Sequence, residues 1–460
     1  METVAKWDVF ELALKGRADG NPFTDYTMRG VFESDAERVE TDGFYDGGGV
    51  YRIRFMPSFT GVYRYRVQGT FAPEAAEGSF TAVAPRPGNH GPMRVNGCHF
   101  VYEDGTPFHE AGTTCYAWVH QPDGRVAETL RTLSQGYFNK MRFCVFPKHY
   151  LYNLHEPATY PYEGEPCDMT NFDPARDGMG ILPGNRWDFT RFRPEHFRRV
   201  ENAVQKLGEL GIEADLIVMH PYDRWGFSAM SPKQDDLYWR YVIARFAAYR
   251  NVWWSLANEW DLMPQKTAAD WERYAGLLVA NDPYRHLRSI HSCREFYDHN
   301  RPWITHASIQ RQDVYKCAEL TDDYRRRYGK PVVLDEIAYE GDIEPGWGNI
   351  SGQELVRRFW EAAARGGYAG HGETFDRPDG VLWWSHGGTL HGESPQRIRF
   401  LRRLLDETPG TGLAPFPAEW DDVCARAEGG AEYYLFYYGR NRPCRRTFTL
   451  TPGVTYRAER

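Results

Sequence analysis

Alternating hydrophobic and polar residues mark the first 84 positions of the chain. In runs such as 50–55 and 61–67 apolar side chains alternate with polar ones, and clusters of Gly, Pro and Asp separate the runs. This alternation is typical of half-buried β-strands, and the close spacing of the turns is typical of a β-sandwich. A stretch rich in Pro and Gly follows at 84–89 and is typical of a linker. The pattern predicts a β-sandwich domain over residues 1–84.

Short apolar runs separated by helical patterns follow from residue 108. Eight such runs lie at 112–117, 140–146, 212–219, 252–257, 288–291, 303–307, 331–337 and 368–374. The clearest helical pattern keeps its apolar residues on one face from Phe197 to Leu210, with Pro194 before it and Gly211 after it. This order predicts a (β/α)8 TIM barrel over residues 95–408. Its largest insertion, at 148–193, follows the second run, on the face where barrel enzymes keep their sites.

The last 45 or so residues return to a strand-like pattern, with alternating runs at 432–438 and 447–450. They predict a small C-terminal β domain over residues 412–460, which is either an appended sheet or part of a larger domain. The predicted fold class is therefore multidomain: a central (β/α)8 TIM barrel with an N-terminal β-sandwich and a small C-terminal β domain.

Composition narrows the classes of function. The chain is 42% hydrophobic and 26% charged with a net charge of −8, which predicts a folded protein without a nucleic-acid partner. No apolar run is long enough to span a membrane, and no signal peptide is visible at the start. Eight scattered cysteines without a C-x-x-C pair favour reduced thiols and a cytoplasmic location. The 15% aromatic content indicates either a heavy core or a cleft that stacks on sugars.

Polar residues at the ends of barrel strands are the candidates for chemistry, because those ends face the substrate. Applied to the runs, this rule selects Arg142, His220, Asn258, Glu259, His306, Glu336 and Glu373. Glu259 and Glu336 end the fourth and seventh runs, which lie on opposite sides of a barrel. Two carboxylates facing each other across a cleft are what glycoside hydrolysis requires. Tryptophans in the strand-end loops are candidates for stacking on a sugar: Trp118, Trp260 and Trp384.

Each of these residues also has a purely structural interpretation. A strand-end glutamate often forms a loop salt bridge, and Arg142 can serve structural pairing or catalytic support equally well. His220 and His306 are either core histidines or sugar ligands, and each tryptophan can be a packing residue. The sequence contains no H-E-x-x-H, P-loop or G-x-S-x-G motif, so we predict neither a metal nor a cofactor.

Several motifs carry a resemblance to a known group of enzymes. The runs WWSLANEWD at 253–261 and PVVLDEIAYEG at 331–341 resemble the acid/base and nucleophile strands of the clan A glycoside hydrolases. The segments GHGET at 370–374 and LWWS at 382–385 resemble the apiosidase-related branch of that clan. The segment 6–11 is similar to the first strand of the immunoglobulin-like domain that often precedes the barrel in this branch.

The resemblance implies a role for several strand-end residues. Glu259 corresponds to the general acid/base, with Asn258 beside it to bond the sugar 2-hydroxyl. Glu336 corresponds to the nucleophile, and Arg142 to the cation that keeps it ionised. The clan usually places a tyrosine against the nucleophile on strand six, where this sequence has His306.

We therefore predict a retaining, exo-acting glycoside hydrolase that removes a non-reducing-end sugar from a glycoside or oligosaccharide. Exo action is inferred from the large loops after strands two and eight, which can close one end of a cleft. Two alternatives remain: an apiosidase or other furanosidase acting on plant glycans, and a sugar-binding barrel without turnover. We expect a carbohydrate as the partner, no membrane association, and a homo-oligomer in which the N-terminal domain makes contacts.

Overall fold

Two facing β-sheets form the N-terminal part of the protein. The computed structural model describes residues 2–417, 423–440 and 443–459. The N-terminal strands are β1 (Glu2–Ala5), β2 (Phe10–Lys15), β3 (Met28–Glu33), β4 (Arg38–Asp42), β5 (Phe44–Tyr45), β6 (Val50–Phe55), β7 (Gly61–Gly69) and β8 (Ala76–Val83). One sheet has the order β1-β8-β7-β3-β4 and the other β2-β6-β5. Rings from both sheets stack in the core, as Phe32 does on Phe55 at 4.5 Å. The predicted sandwich is confirmed.

The next fifteen strands build the barrel and its attachments. They are β9 (Met93–Asn96), β10 (His99–Tyr102), β11 (Pro107–Phe108), β12 (Gly112–Thr114), β13 (Lys140–Cys144), β14 (Tyr162–Glu165), β15 (Arg186–Phe192), β16 (Glu213–Met219), β17 (Val252–Ala257), β18 (Arg288–Ser289), β19 (Ala307–Gln310), β20 (Val332–Glu336), β21 (Glu340–Gly341), β22 (Tyr368–His371) and β23 (Glu373–Thr374).

Eight of these strands form one parallel sheet, in the order β18-β17-β16-β13-β12-β22-β20-β19. The predicted (β/α)8 barrel is therefore confirmed, with its seam between the fifth strand, β18, and the sixth, β19. Contacts beside the strand ladder bridge the seam: the Thr305 N–H donates to the Arg288 carbonyl at 2.9 Å, and His291 Nδ1 lies 3.0 Å from Ser308 Oγ. The strand-end side chains of all eight strands are thereby held around one mouth.

Helices surround this sheet. They are α1 (Asp123–Leu133), α2 (Pro174–Asp177), α3 (Pro194–Glu209), α4 (Pro232–Phe246), α5 (Ala268–Asn281), α6 (Thr321–Tyr328), α7 (Gly352–Ala364), α8 (Trp383–His386) and α9 (Ser394–Asp406). Helix α3 begins at Pro194, where the missing N–H costs nothing, and buries Phe197, Val200, Val204 and Leu207 against the barrel. Leu210, which the pattern places on the same face, is 39% exposed because the helix has already ended.

The sheet of β9, β10 and β11 covers the amino-terminal end of the barrel. Phe100 on β10 contacts the rings of Trp253 and Tyr368 at 4.9 and 5.1 Å, and these two residues lie at the starts of β17 and β22. Above this apolar plug lies a layer of buried charge, in which Lys140 Nζ is 2.8 Å from Asp335 and 3.4 Å from Asp215. The floor of the barrel is therefore closed, and substrate can enter only from the opposite end.

The N-terminal sandwich is joined to the barrel by buried ion pairs. Arg54 on β6 contacts Glu201 on α3 at 2.5 Å, and the same carboxylate oxygen lies 2.7 Å from Arg245 on α4. Arg245 also reaches Asp46 of the sandwich at 2.9 Å. Because all four charges are buried, the sandwich and the barrel support each other's interior.

The insertion after β13 contains the hairpin β14–β15 and the short helix α2. Its Trp187 Nε1 donates to the Trp225 carbonyl at 3.1 Å, which fixes the insertion against the loop that follows β16. The loop is thus an ordered wall at the open end of the barrel. No helix in the described part of the chain is both long and apolar enough to cross a membrane.

The C-terminal part is a small antiparallel sheet of β24 (Leu413–Pro415), β25 (Val423–Ala427) and β26 (Tyr434–Tyr437). The strand predicted at 432–438 is present as β26. The strand predicted at 447–450 is wrong: Phe448 packs its ring on Phe436 at 3.8 Å, but its backbone joins no sheet.

Candidate active site

Glu259 lies directly beyond the fourth barrel strand, β17, with only Asn258 between it and the strand end. Its backbone is left-handed, with φ of 52°, and a 3-10 turn begins at Trp260. A non-glycine residue in this conformation costs about 1–3 kcal/mol, and such residues cluster at functional sites. The turn places Glu259 Oε2 where it accepts hydrogen bonds from the Tyr222 hydroxyl and, at 3.2 Å, from Asn258 Nδ2.

The surroundings of Glu259 favour its protonated form. Burial raises the pKa of the Glu259 carboxyl above its ordinary value, and the negative charge of Glu336 raises it further. The hydrogen bond from Tyr222 and the charges of His291 and Lys148 act in the opposite direction without reversing the shift. A carboxyl group with a raised pKa is better suited to act as a general acid than one with an ordinary pKa.

Glu336 is the last residue of the seventh strand, β20, and its surroundings favour the charged form. Its Oε1 accepts a hydrogen bond from the Tyr116 hydroxyl and lies 3.5 Å from Arg142 Nη1 and 3.3 Å from His291 Nε2. Gln312 Nε2 donates to Oε2 at 3.5 Å. Burial alone would raise the pKa of Glu336, but the hydrogen bond and charge of His291, with Arg142 and Tyr116, lower it to about 2.

A continuous series of polar contacts joins the two glutamates. The Tyr116 hydroxyl, which donates to Glu336, also lies 3.3 Å from Asn258 Oδ1, and Asn258 Nδ2 donates to Glu259. The structure thus brings Asn258, Glu259 and Glu336 into one cleft. The surroundings of Glu259 favour its protonated form, whereas those of Glu336 favour its charged form. Arg142 completes this group because Nη1 also donates to the Tyr116 hydroxyl at 3.2 Å.

Aromatic residues line one side of the cleft. The "aromatic wall" consists of Tyr150, Tyr152, Trp347 and Trp384, from the loops after strands two, seven and eight. Trp347 and Trp384 have ring centroids 5.1 Å apart, and Tyr150 lies 6.1 Å from Trp384. All but Trp384 are partly exposed, so the wall offers ring surface to the cleft and closes this side of it.

The opposite side is open. A groove of about 620 Å³ runs between residues 293–296 and 310–313, in the loops after strands five and six. Gln312 at one edge donates to Glu336, and Cys293 at the other edge lies close enough to Glu259 for that charge to raise the pKa of its thiol, so the groove adjoins the two carboxylates. Its walls are polar, with Arg294 and Arg311 among the lining residues.

Three other predicted residues lie near the cleft, and each makes a different set of contacts. Trp384 belongs to the aromatic wall. His220 is buried behind the site, where Nε2 lies 3.2 Å from the Phe146 carbonyl. Trp260 is half-buried and packs edge-on against Tyr297 with centroids 5.2 Å apart.

The structure does not bring His306 and Trp118 to the cleft. The sixth strand begins at Ala307, so His306 lies at its amino end, packed between Phe100 at 5.6 Å and Trp253 at 5.3 Å. The residues that contact Glu336 are instead Tyr116 and His291. Trp118 is fully buried and packs edge-on against Phe143, which leaves no ring face for a sugar.

Glu373 is also occupied elsewhere. Its two oxygens accept hydrogen bonds from the backbone N–H groups of His391 and Gly392 at 2.6 and 2.7 Å. The two carboxylate oxygens of Glu340 likewise accept hydrogen bonds from the backbone N–H groups of Glu393 and Ser394, at the start of α9. The carboxylate of Glu373 therefore holds the chain before α9 in place, and both of its oxygens are engaged by that backbone.

Five residues of the cleft escaped the sequence argument: Tyr116, Lys148, Tyr222, His291 and Gln312. A signal existed for two of them, because Tyr116 and His291 fall at the ends of the first and fifth apolar runs. Tyr222, Lys148 and Gln312 lie in loops, two or more residues beyond their strands, where no local pattern marks them.

Three parts of the chain match models of known protein families. Residues 95–408 match the family model described as "Apiosidase-like, catalytic domain". Residues 3–70 match DUF5060 and residues 420–459 match DUF5605, both described as domains of unknown function. None of the curated proteins compared with the chain matches it.

Two solved structures from Bacteroides vulgatus are similar to the chain. One, provisionally described as a glycoside hydrolase, is 39% identical with a TM-score of 0.87, covering 95% of this chain and 84% of the other. The second, described as a glycoside hydrolase of family 5, is 16% identical with a TM-score of 0.52, covering 74% of this chain and 80% of the other. The second likeness concerns the fold alone.

Proposed function

The chain belongs to the apiosidase-like family and is a glycosidase, and from that premise we propose that it is a retaining, exo-acting glycoside hydrolase. It would remove a sugar from the non-reducing end of a glycoside or oligosaccharide. One observation carries the proposal: Glu259, whose pKa is raised, and Glu336, whose pKa is lowered, share one hydrogen-bonded cleft. One protonated and one ionised carboxyl group are the equipment of glycoside hydrolysis, and in a double displacement the ionised group is the nucleophile.

In the first step, the Glu336 carboxylate attacks the anomeric carbon and forms an ester bond with it. Glu259 gives its proton to the glycosidic oxygen as the bond from that oxygen to the anomeric carbon breaks, so the leaving group departs neutral. The contacts of Tyr116, Arg142 and His291 with Glu336 keep this carboxylate ionised and aimed at the cleft.

In the second step, Glu259 is a carboxylate and takes a proton from water. The water oxygen attacks the anomeric carbon, the ester bond breaks, and Glu336 returns to its charged form. Two displacements at the same carbon leave its configuration unchanged. Asn258 lies between the two carboxyl groups, and we assign to it a hydrogen bond with the sugar 2-hydroxyl.

The shape of the cleft supports exo action. The aromatic wall closes one side, while the polar groove at 293–296 and 310–313 opens on the other. We propose that one sugar ring lies against Trp384 and its neighbours and that the leaving group extends into the groove. An endo-acting enzyme needs a cleft that is open at both ends.

The stereochemistry of the product tests this proposal. A panel of 4-nitrophenyl glycosides identifies a substrate, and proton NMR during its hydrolysis shows the anomer released first. Retention is expected, and release of the opposite anomer would overturn the mechanism. Glu336→Gln should abolish hydrolysis while sugar binding persists; unchanged turnover would favour a different site.

The family match favours one narrower candidate, an apiosidase or another furanosidase acting on plant glycans. The panel should therefore contain apiosides and arabinofuranosides beside pyranosides. Hydrolysis of the furanosides with a kcat/KM at least about tenfold higher than that of any pyranoside would establish this candidate.

A cytoplasmic location also belongs to the proposal. It is supported by the eight cysteines, which are all free thiols in the described residues, since free thiols are typical of a reducing compartment. Fractionation of the producing cells with an antibody against the protein tests it, and recovery outside the cytoplasm would contradict it.

A further inference from the structure

We infer that Lys148 binds the substrate: its ammonium group donates hydrogen bonds to an acceptor oxygen, a hydroxyl or a carboxylate, on the sugar in the cleft. This inference rests on the proposed function and specifies which side chain recognises the sugar. Lys148 lies in the loop after β13, four residues beyond the strand end at Cys144.

The position of Lys148 is fixed by its backbone. Its carbonyl accepts a hydrogen bond from Asn153 Nδ2, and the N–H of the next residue, His149, donates to the Tyr222 carbonyl at 2.9 Å. The side chain is 2% exposed. The ammonium group therefore cannot move out to water without rebuilding the loop.

Aromatic rings surround the ammonium group. Lys148 Nζ lies 3.5 Å from the ring centroid of Tyr116 and 4.4 Å from those of Tyr222 and Trp384. Tyr150 is slightly farther, at 5.6 Å. Such cation–π contacts stabilise the charge, but the rings accept no strong hydrogen bond from its three N–H donors.

The other buried lysines of the protein show what Lys148 lacks. Lys140 Nζ lies 2.8 Å from Asp335, and Lys266 Nζ lies 2.6 Å from Asp235. Among the described residues, no carboxylate forms an ion pair with Lys148 and no protein atom accepts a hydrogen bond from its Nζ. The side chain of Lys148 is buried while its three donors have no acceptor within the described protein, so a ligand in the cleft can supply the acceptors.

The rings around Lys148 also locate it relative to the reaction. The Tyr116 hydroxyl bonds Glu336, and the Tyr222 hydroxyl bonds Glu259. The ammonium group therefore lies between the two side chains that hold the carboxyl groups. The third ring, Trp384, belongs to the aromatic wall against which we place the sugar. An oxygen substituent of that sugar is the group able to reach the free donors.

Kinetics of Lys148→Met on the best 4-nitrophenyl glycoside of the panel test the inference. The variant keeps the length of the side chain and removes the donors, so we expect kcat/KM to fall about 10- to 100-fold. Lys148→Arg keeps the charge and should recover part of the loss. Lys206→Met, on an exposed lysine of α3, is the control and should retain wild-type kcat/KM. An unchanged melting temperature would show that each variant folds.

Substrate analogues separate binding from a structural role. Wild-type protein should lose activity on the one monodeoxy analogue that lacks the contacted hydroxyl, whereas Lys148→Met should treat that analogue and the parent glycoside alike. If the acceptor is a carboxylate, the wild type should instead prefer a uronide over the neutral sugar, and Lys148→Met should abolish that preference. Equal losses of Lys148→Met on every analogue, or kcat/KM within twofold of wild type, would overturn the inference.

A binding measurement keeps this test independent of catalysis. In a Glu336→Gln background, calorimetry with the free monosaccharide of the best glycoside should show weaker affinity when Lys148→Met is added. If Glu336→Gln and Glu259→Ala both retain turnover, the proposed function fails. If those variants are inactive and Lys148→Met binds and hydrolyses as the wild type does, only the assignment of Lys148 fails.

Discussion

At the scale of single residues, the site depends on a division of charge between two glutamates. Glu336 remains ionised because His291, Arg142 and Tyr116 contact it, while Glu259 is buried beside that negative charge. For the free enzyme, the active form is the one with Glu336 charged and Glu259 protonated. Raising the pH through the pKa of Glu259 removes the acid, and lowering it towards about 2 neutralises Glu336. We therefore expect kcat/KM to fall on the alkaline side, with an acid limb near pH 2.

His291 offers a sharp test of this division, because its charge lowers the pKa of both carboxyl groups. In His291→Asn both pKa values should rise, so both limbs of the profile of kcat/KM against pH should move to higher pH. The measurement covers pH 2–9 with an aryl glycoside, and His90→Asn, on the surface beside Asp104, is the matched control. A profile that does not move, or limbs that move in opposite directions, would contradict the electrostatic account.

At the scale of elements, the features that can be predicted from the sequence are those that a short local pattern encodes. The period of α3 and the polar ends of β17 and β20 are visible in short windows, so the barrel and its two glutamates could be predicted. The start of β19 could not be predicted, because it depends on contacts across the seam. One of them is the hydrogen bond from the Thr305 N–H to the Arg288 carbonyl. The bond from Tyr116 to Glu336 spans 220 positions, and no local pattern carries it.

Glu373 gives a second prediction at this scale, because its carboxylate holds the chain before α9 in place. Glu373→Ala leaves two backbone N–H groups without their acceptor and should lower the free energy of unfolding by about 1–3 kcal/mol. KM should change less than twofold, because the side chain does not face the cleft. Urea unfolding and steady-state kinetics on the same preparation measure both effects. A large rise in KM with unchanged stability would return Glu373 to the substrate-binding surface.

At the scale of the whole molecule, buried charge joins the sandwich to the barrel. Glu201 forms ion pairs with Arg54 of the sandwich and with Arg245 of the barrel. Glu201→Ala therefore leaves two buried cations with fewer partners. We expect a loss of about 3–5 kcal/mol in the free energy of unfolding. Glu209→Ala, at an exposed pair on the same helix, should cost less than about 1 kcal/mol. Equal effects of the two substitutions would show that the interdomain network is dispensable.

The contribution of Glu201 should also depend on pH. Arg245 and Arg54 overcome the effect of burial and lower the pKa of Glu201 in the folded protein. A depressed carboxyl pKa stabilises the fold above the unfolded value of about 4.3, and this contribution disappears as the pH falls towards the folded value. The difference in stability between the wild type and Glu201→Ala should therefore be largest near pH 7 and should shrink below about pH 4.

The central claim is that Glu336 forms the bond to the sugar and that Glu259 supplies and removes protons. Azide tests it most directly, because azide replaces whichever carboxylate has been removed. Glu336→Ala should be nearly inactive, and added azide should restore turnover as the glycosyl azide of the opposite anomer to the substrate. Glu259→Ala should react mainly with activated aryl glycosides, and azide should give the glycosyl azide of retained configuration. Exchange of these two anomers between the variants would contradict the assignment of roles, and rescue of neither would place the reaction elsewhere.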